Sequence, residues 1–295
     1  MIAHQPVLVA EVLRFLRPER GGLYVDCTVG LGGHARALIE AGASRVIGLD
    51  RDADALATAT IALRPWADRV DLVHADYRTL DDVLRRRGEG QIDGALADLG
   101  VSSLQLESPG RGFSFRRDEP LDMRMDPSGG PSAADLVAAA SEHDLADVIY
   151  RFGEERHSRR IARAIVAART DEPVVTTLRL ASIVRRAVGR GGASRIDPAT
   201  RTFQALRIWV NRELEGLDAF LESTAGWLRK GARLVVVSFH SLEDRIVKHT
   251  LRALERRGDR VLNVLTKKPV VASDEERKRN PRSRSAKLRA AERVV

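Results

Sequence analysis

The chain has 295 residues, of which 43% are hydrophobic and 31% are charged, a composition typical of a globular protein with one or two domains. No stretch approaches the roughly 18 consecutive apolar residues of a membrane span, and the segment Met1–Pro6 lacks the charged and apolar regions of a signal peptide. The single cysteine, Cys27, excludes an internal disulfide and a cysteine-based zinc site. We therefore expect a cytoplasmic protein with neither a membrane partner nor a catalytic metal.

Positive charge is concentrated near the C-terminus. The net charge is +8, yet residues 245–295 alone contain 16 Lys and Arg against 6 Asp and Glu. A basic segment on an otherwise near-neutral chain indicates a polyanionic partner such as nucleic acid. The alternative is a solvated tail in a sequence that uses arginine throughout.

The first hundred residues alternate short apolar runs with helical patterns. The predicted strands are Leu23–Asp26, Arg45–Asp50, Val70–His74 and Asp93–Asp98. The predicted helices lie near His34–Ala41, Ala53–Leu63 and Leu80–Arg87. This rhythm predicts a parallel sheet with right-handed crossovers.

The alternation then stops. Gln105–Ala133 is rich in Gly, Pro, Arg and Asp, and residues 134–190 have the apolar spacing of helices. Strands return at Arg233–Phe239 and Val261–Leu265, while Ser273–Ser285 resembles a mobile, charged loop. The pattern predicts an α/β, Rossmann-like domain interrupted by a mostly helical insertion. The predicted parts are 1–106 for the first half of the domain, 107–203 for the insertion and 204–295 for the second half.

A glycine-rich loop, Asp26 to His34, joins the first predicted strand to the first predicted helix. Glycines there allow a ligand to approach the backbone closely. The spacing of Gly30 and Gly32 also satisfies a relaxed dinucleotide fingerprint, so NAD is an alternative. Because Asp26 would repel a diphosphate but tolerate a zwitterionic amino acid, the loop favours S-adenosyl-L-methionine. A tight turn that binds no ligand stays open as a third interpretation.

Two later strand ends carry further candidates. Asp50 ends the second strand, where a carboxylate accepts hydrogen bonds from ribose hydroxyls or caps the next helix. Tyr77 and Asp76 follow the third strand, where they either bind an adenine ring or start a helix.

Several ordered blocks of the sequence closely resemble the RsmH (MraW) family, and the resemblance spans nearly the whole chain. The blocks are Asp98–Ser103, Arg111–Phe115, Pro120–Asp126, Gly153–Arg156 with Arg160–Ala162, Pro198–Ala205, Ser238–Arg245 and Asn280–Ser285.

The resemblance implies a class I methyltransferase that uses S-adenosyl-L-methionine. Its implied substrate is the N4 amino group of a cytidine in the decoding region of small-subunit ribosomal RNA, within the assembled subunit, and the helical insertion is implied to help recognise it. Tyr77 occupies a position where the family more often has Phe, a change that keeps a stacking face. The implied cofactor residues are Gly32, Gly33, His34, Asp50, Tyr77, Asp98 and Gln105.

No catalytic residue is assigned. Asp98 and His240 both follow strands at the carboxyl edge, but the resemblance gives Asp98 to the cofactor, and His240 has a structural role as its alternative. Phe113 and Phe115 either clamp a flipped cytidine or anchor their loop to the core.

Basic residues near the C-terminus, Lys267, Lys268 and the cluster from Arg277 to Arg284, are predicted to contact RNA phosphates. Two other functions stay open, which are methylation of DNA or protein and a non-catalytic role in ribosome assembly. The sequence also leaves the oligomeric state open, a homodimer included.

Overall fold

A computed structural model of the chain describes residues 6–189, 197–256 and 261–295. It divides into two compact units, one formed by Met1–Gly100 with Leu214–Val295 and the other by Val101–Glu213. The predicted insertion, 107–203, falls inside the second unit, and seven of its residues, 190–196, lie outside the described ranges. In those ranges, no helix has the length and apolar character needed to cross a bilayer.

One sheet organises the first unit. Its strands are β1 (Leu23–Asp26), β2 (Arg45–Asp50), β3 (Val70–His74), β4 (Ile92–Asp98), β5 (Leu228–Ser238), β6 (Leu262–Val264) and β7 (Lys287–Arg293). Their spatial order is β3-β2-β1-β4-β5-β7-β6. The first five strands are parallel, and β7 runs antiparallel to both β5 and β6. This arrangement confirms the predicted Rossmann-like, class I methyltransferase sheet.

Helices flank this sheet and build the second unit. In the described residues and in chain order they are α1 (Val9–Leu16), α2 (Gly33–Glu40), α3 (Ala53–Ala62), α4 (Leu80–Arg86), α5 (Ser103–Glu107), α6 (Ala133–Ala139), α7 (Glu142–Gly153), α8 (Ser158–Asp171), α9 (Thr177–Val188), α10 (Ala199–Asn211), α11 (Leu217–Trp227), α12 (Ser241–Arg256) and α13 (Asp274–Arg279).

Alternate residues of each central strand point to opposite faces of the sheet, as strand geometry requires. On one face, Ile47 and Val236 join an apolar cluster with residues of α4, α11 and α12. On the other face, Val46 and Val235 join a cluster with residues of α1, α2 and α3. The parallel strands are thus covered by helices on both sides, which explains their nearly continuous apolar sequences.

The strand order creates a switch point between β1 and β4. The chain continues from β1 to β2 on one side, whereas β4 continues to β5 on the other. Ligands of open α/β sheets bind in the crevice at the carboxyl ends of the strands that flank such a point. Asp26 ends β1 and Asp98 ends β4, so both residues lie at this edge.

The first three predicted strands have the predicted bounds, and the predicted fourth, fifth and sixth strands are present with shifted ends. Two features differ from the sequence analysis. The segment Ser273–Ser285 is not a charged loop, because it contains α13 and a short 3-10 turn at Pro281–Arg284. Strand β7 was not predicted, since its residues alternate charged and apolar character too weakly to indicate a buried strand.

Side-chain pairing explains how charged residues fit into β7. Arg289 is buried in the strand, and its Nε donates to Asp244 Oδ1 of α12 at 2.6 Å. Lys287 Nζ lies 3.7 Å from the other oxygen of the same carboxylate. A buried cation requires such a partner, and Asp244 is far from β7 in the sequence.

The second unit has its own apolar core, contributed by α6, α7, α8, α9 and α10. The loop before α6 is fixed to this core by Asn211 at the end of α10. The Asn211 side chain accepts from the Met125 amide at 2.7 Å and donates to the Met123 carbonyl at 2.7 Å. Met123 has a φ of 63°, a strained conformation for a residue other than glycine, which these two hydrogen bonds hold in place.

Candidate functional site

The glycine loop between β1 and α2 is held open by the neighbouring strand β2. The amide of Val29 donates to the Leu49 carbonyl at 2.8 Å, and the amide of Gly30 donates to Asp50 Oδ2 at 2.8 Å. Gly30 has a φ of 52° and Gly32 a φ of 83°, values that glycine adopts without steric cost. The loop therefore reaches the carboxyl edge in a conformation that other residues adopt only with strain.

Part of the glycine requirement comes from packing within the protein. A Cβ at position 32 would lie 2.8 Å from Leu63 Cδ1, and one at position 33 would lie 2.9 Å from Pro6 Cγ. Gly30 differs, since the nearest atom to its Cβ position is the Thr28 carbonyl oxygen at 3.9 Å. Of these three glycines, Gly30 has open space beside it, whereas Gly32 and Gly33 are also required by the fold.

Asp50 connects the glycine loop to the start of α3. Its Oδ2 accepts from Gly30, and its Oδ1 accepts from the Asp52 amide at 2.9 Å. Asp52, not Asp50, caps α3, by accepting from the Asp54 amide at 3.1 Å. Burial raises the pKa of Asp50 despite the hydrogen bonds from Asp52 and Gly30. Each carboxylate oxygen has two acceptor positions, so this geometry leaves capacity for a ribose hydroxyl.

Tyr77 and Asp76 have separate roles after β3. The Tyr77 ring is half-buried against Phe220 of α11, with ring centroids 4.7 Å apart and planes tilted by 60°. The Asp76 carboxylate accepts from Arg78 Nη2 at 2.6 Å and lies 3.5 Å from Arg51 Nη1. Burial would raise the pKa of Asp76, but Arg78 and Arg51 lower it overall. Asp76 thus serves local ion pairing, while Tyr77 presents an aromatic surface.

Asp26, His34 and Asp98 form a buried polar cluster at the switch point. His34 Nε2 lies 3.4 Å from Asp98 Oδ2, a distance for charge attraction rather than a good hydrogen bond. Asp26 and His34 are 0% and 5% exposed. Asp26 Oδ2, Asp98 Oδ1 and both ring nitrogens of His34 are buried without a hydrogen-bond partner in the described ranges. Such groups require a functional explanation, since buried polar atoms are nearly always satisfied.

Both charge and burial perturb this cluster. Burial raises the pKa of Asp26 to about 7, against the opposing effects of His34 and the Thr28 amide. Burial lowers the pKa of His34, but the Asp98 carboxylate, then Asp26 and Glu276, raise it above the usual value overall. Perturbed groups in a cleft at a strand edge are typical of functional sites.

His240 is held locally at the start of α12. Its Nε2 lies 3.1 Å from Glu243 Oε1, and the other Glu243 oxygen accepts from the Phe239 amide at 2.9 Å. His240 and Glu243 are both buried. This geometry favours the structural role that the sequence left as an alternative to catalysis.

Three of the predicted residues, Gln105, Phe113 and Phe115, lie in the second unit. The Gln105 side chain accepts from the Ser102 amide at 2.9 Å, and the Gln105 amide donates to Ser102 Oγ, which forms a capping box for α5. Phe113 is buried in the unit's core, and Phe115 packs edge-on against Phe203 with centroids 4.7 Å apart. Phe113 therefore anchors the loop to the core, whereas Phe115 is only partly buried. The cytidine clamp stays a prediction.

Basic residues lie at the carboxyl edge of the sheet, where β7 begins. Lys287 pairs with Ser238 at the end of β5, and Asp98 pairs with Val237, so both lie at the same edge of the sheet. Val270 bridges to Leu288 at this edge. The segments immediately before Val270 and Lys287 carry the exposed cations. These cations are Lys267, Lys268, Lys278, Arg279 and Arg284.

Asp26 is the residue that sequence reasoning did not assign to the site. From the sequence, Asp26 lies at the end of a strand and its charge disfavours a diphosphate ligand, but no role in the site was assigned to it. Its proximity to Asp98 depends on β1 and β4 being neighbours, which a single sequence does not reveal. The available signal was an acid directly before a glycine loop.

The site has the chemistry that S-adenosyl-L-methionine requires. Asp26 and Asp98 offer unsatisfied carboxylate oxygens for the positive charges of this molecule. Asp50 has acceptor capacity for a ribose, and the partly exposed Tyr77 ring is of the type that stacks on a purine. The residues of the first unit therefore fit the cofactor, with open backbone at Gly30 between them.

Curated relatives cover almost the whole chain. A protein of Sorangium cellulosum named ribosomal RNA small subunit methyltransferase H is 53% identical over 291 residues, which are 99% of this chain and 91% of that protein. Proteins of the same name from Cyanothece sp. and Geotalea uraniireducens are 53% and 48% identical, and the matches span 95% and 98% of their lengths. A sequence model described as the MraW methylase family matches residues 1–294. This chain belongs to the MraW methylase family.

Proposed function

We propose that this chain transfers a methyl group from S-adenosyl-L-methionine to the N4 amino group of a cytidine in the decoding region of small-subunit ribosomal RNA. The observation that carries the proposal is the family match across residues 1–294, with relatives near 50% identity named as small-subunit ribosomal RNA methyltransferases. The cytidine and its N4 atom rest on the motif resemblance alone. A ribosomal substrate also agrees with the predicted cytoplasmic location.

S-adenosyl-L-methionine is the cofactor, as the sequence predicted, and we propose how this chain holds it. Gly30, Gly32 and Gly33 let the backbone approach the ligand. Asp50 accepts from the ribose, and Tyr77 stacks on the adenine. His34 and Asp98 face the amino-acid and sulfonium end, and the assignment of Gln105 to the cofactor rests on the motif resemblance. The unsatisfied atoms of His34 and Asp98 support this arrangement.

The bound cofactor supplies an electrophilic methyl group on a positively charged sulfur. The cytidine N4 atom is a poor nucleophile because its lone pair is delocalised into the ring. The protein's main contribution is therefore to hold nitrogen, carbon and sulfur in line, an effect that is worth about 7–11 kcal/mol when the geometry is ideal. Asp98, whose side chain is 21% exposed, is a carboxylate at the carboxyl edge of the sheet, and we leave the proton acceptor unassigned.

Substrate recognition is proposed to use the helical second unit and the exposed cations near β7. A target base must leave its stack before its amino group reaches a methyl donor. Phe113 is buried in the core of its own unit, whereas Phe115 is only partly buried, so Phe115 is the better candidate of the two for stacking on that base. The exposed cations at the carboxyl edge are suited to the phosphates of folded RNA.

Methyl transfer to purified small subunits tests the proposal. Subunits from a strain lacking this activity are incubated with labelled cofactor, and their RNA is digested to nucleosides. We expect the label in N4-methylcytidine. Naked ribosomal RNA and duplex DNA serve as comparison substrates, and we expect the assembled subunit to be preferred.

Two results would favour the other functions. Label in DNA or protein with unmodified subunits would indicate another acceptor for the same chemistry. Normal cofactor binding without transfer to any of these substrates, combined with tight binding to subunits, would indicate an assembly factor. Either result would overturn the proposed substrate and leave the cofactor site intact.

A further inference from the structure

The buried cluster of Asp26, His34 and Asp98 lacks the hydrogen bonds that would stabilise it. His34 is in the first turn of α2, directly after the glycine loop, and points toward Asp98 at 3.4 Å. Four of the cluster's polar atoms are buried without a hydrogen-bond partner within the described part of the chain. Burying unsatisfied polar atoms is costly, so the cluster is built for a group that arrives later.

The charges around His34 come from every side of its site. Asp98 approaches from β4, Asp26 from β1 and Glu276 from α13, and each of them favours a protonated imidazole. Asp50 of β2 acts on Asp26 in turn, and Cys27 is buried beside it. Of these, Glu276 is engaged with the Leu8 amide at 2.7 Å. In the cofactor-free protein, these carboxylates therefore favour the binding of protons by His34 and Asp26.

We propose that S-adenosyl-L-methionine replaces these protons, so that its binding releases about one proton from the Asp26–His34–Asp98 cluster to solvent. The ammonium and sulfonium charges of the cofactor take over the role of the imidazolium. His34 is then a positioning residue, since it keeps the Asp98 carboxylate in place until the cation arrives. This inference rests on the proposed placement of the cofactor, but not on the identity of the RNA substrate.

The pH dependence of cofactor binding follows from the raised pKa values of Asp26 and His34. Below the pKa of Asp26, about 7, the cluster holds its protons and the incoming cation must displace them. Affinity for the cofactor should therefore rise as pH rises toward 7, by up to about tenfold per pH unit when one proton is released. Above this range Asp26 is already deprotonated, and its contribution to the pH dependence of the affinity disappears.

Calorimetric titration with S-adenosyl-L-methionine measures the released proton directly. At pH 6.5, the binding enthalpy is compared in two buffers that differ in their enthalpy of protonation. We expect a release of about one proton for the unaltered chain and a smaller release for His34→Gln and for Asp26→Asn. His249→Gln is the matched control, because His249 is an exposed histidine of the same unit, and its proton release should equal that of the unaltered chain.

Equal binding enthalpies in the two buffers for the unaltered chain would overturn the proposal without any variant. A release that persists unchanged in His34→Gln and Asp26→Asn would overturn it as well, since the proton would then come from elsewhere. Thermal unfolding of each variant identifies those that fold. Because no RNA is present, failure of this test is distinct from failure of the proposed substrate.

Discussion

At the scale of single residues, Asp26 links the folding of the protein to pH, because its carboxyl group is fully buried at the end of β1. Asp26 gives a stability prediction for the cofactor-free protein. Its pKa is raised from 3.8 to about 7, so the native state holds this proton more tightly than the unfolded chain does. The stability that protonation contributes is present below pH 3.8 and is lost as pH rises through about 7. Asp26→Asn, which keeps an acceptor for the Thr28 amide, should raise the free energy of unfolding at pH 8 by a few kcal/mol, on the order of the pKa shift.

Urea unfolding at pH 4.5 and pH 8 measures this effect. The gain in the free energy of unfolding from Asp26→Asn should be smaller at pH 4.5 than at pH 8. Asp68→Asn is the control, because Asp68 is exposed, and it should change the free energy of unfolding little at either pH. An equal gain at both pH values would show that the pKa of Asp26 is not raised in the folded chain.

The sequence predicts the parts of the site that are local. The glycine loop and Asp50 follow from a strand, a turn and a strand end. The His34–Asp98 pair could not be predicted, because its members are 64 positions apart and meet only because β1 and β4 are neighbouring strands. The packing of Gly32 and Gly33 against Leu63 and Pro6 could not be predicted either, since it depends on tertiary contacts.

At the scale of elements, several family motifs have a structural explanation. The block at the end of α7 meets the block at the start of α10, where Gln204 Nε2 donates to the Phe152 carbonyl at 3.0 Å and Arg201 Nη1 donates to the Glu154 carbonyl at 3.2 Å. Gly153 permits this approach, since a Cβ there would lie 2.6 Å from the Arg201 carbonyl oxygen. These residues fix the core of the second unit.

Gly153→Ala should therefore destabilise the protein, by about 1–3 kcal/mol for an overpacked contact with backbone. Gly226→Ala is the matched control, because Gly226 is in α11 with nothing within 4 Å of its Cβ position. Removing a glycine from a helix there should stabilise by about 0.5–1 kcal/mol. Chemical unfolding of both variants gives the comparison, and an equal change in the two would refute the packing role of Gly153.

Prediction of strands from the sequence fails for β7, because its charged residues are typical of an exposed segment. Strand β7 contains four charged residues in seven, and its burial depends on Arg289 meeting Asp244 of α12. A solvated tail and this strand have the same local sequence, so a single sequence cannot separate them. The parallel strands were predictable because helices on both faces require continuous apolar runs.

At the scale of the whole molecule, the sequence predicted an excess of cations but not their distribution. Some of the cations form ion pairs within the protein, as Arg289 and Lys287 do with Asp244. Others, including Lys267 and Lys268, are exposed beside the carboxyl edge. The exposed cations are the ones available to an RNA partner, so the net charge of the chain overestimates the positive charge that can contact RNA.

Removing two of these cations should weaken RNA binding in a salt-dependent way. For Lys267→Gln with Lys268→Gln, the slope of log affinity against log salt should fall by about one for each lost phosphate contact. Lys230→Gln is the control, because Lys230 is exposed near the start of β5, at the opposite edge of the sheet. Binding of small subunits over a salt series measures the slopes, and equal slopes for all variants would exclude this surface.

We propose that this chain methylates one cytidine of small-subunit ribosomal RNA at N4. Mass spectrometry of that RNA, from bacteria without the gene and from the same strain with the gene restored, tests it most directly. We expect one N4-methylated cytidine of the decoding region to be absent from the strain without the gene and to return when the gene is restored. Unchanged modification of the RNA in the deletion strain would contradict it.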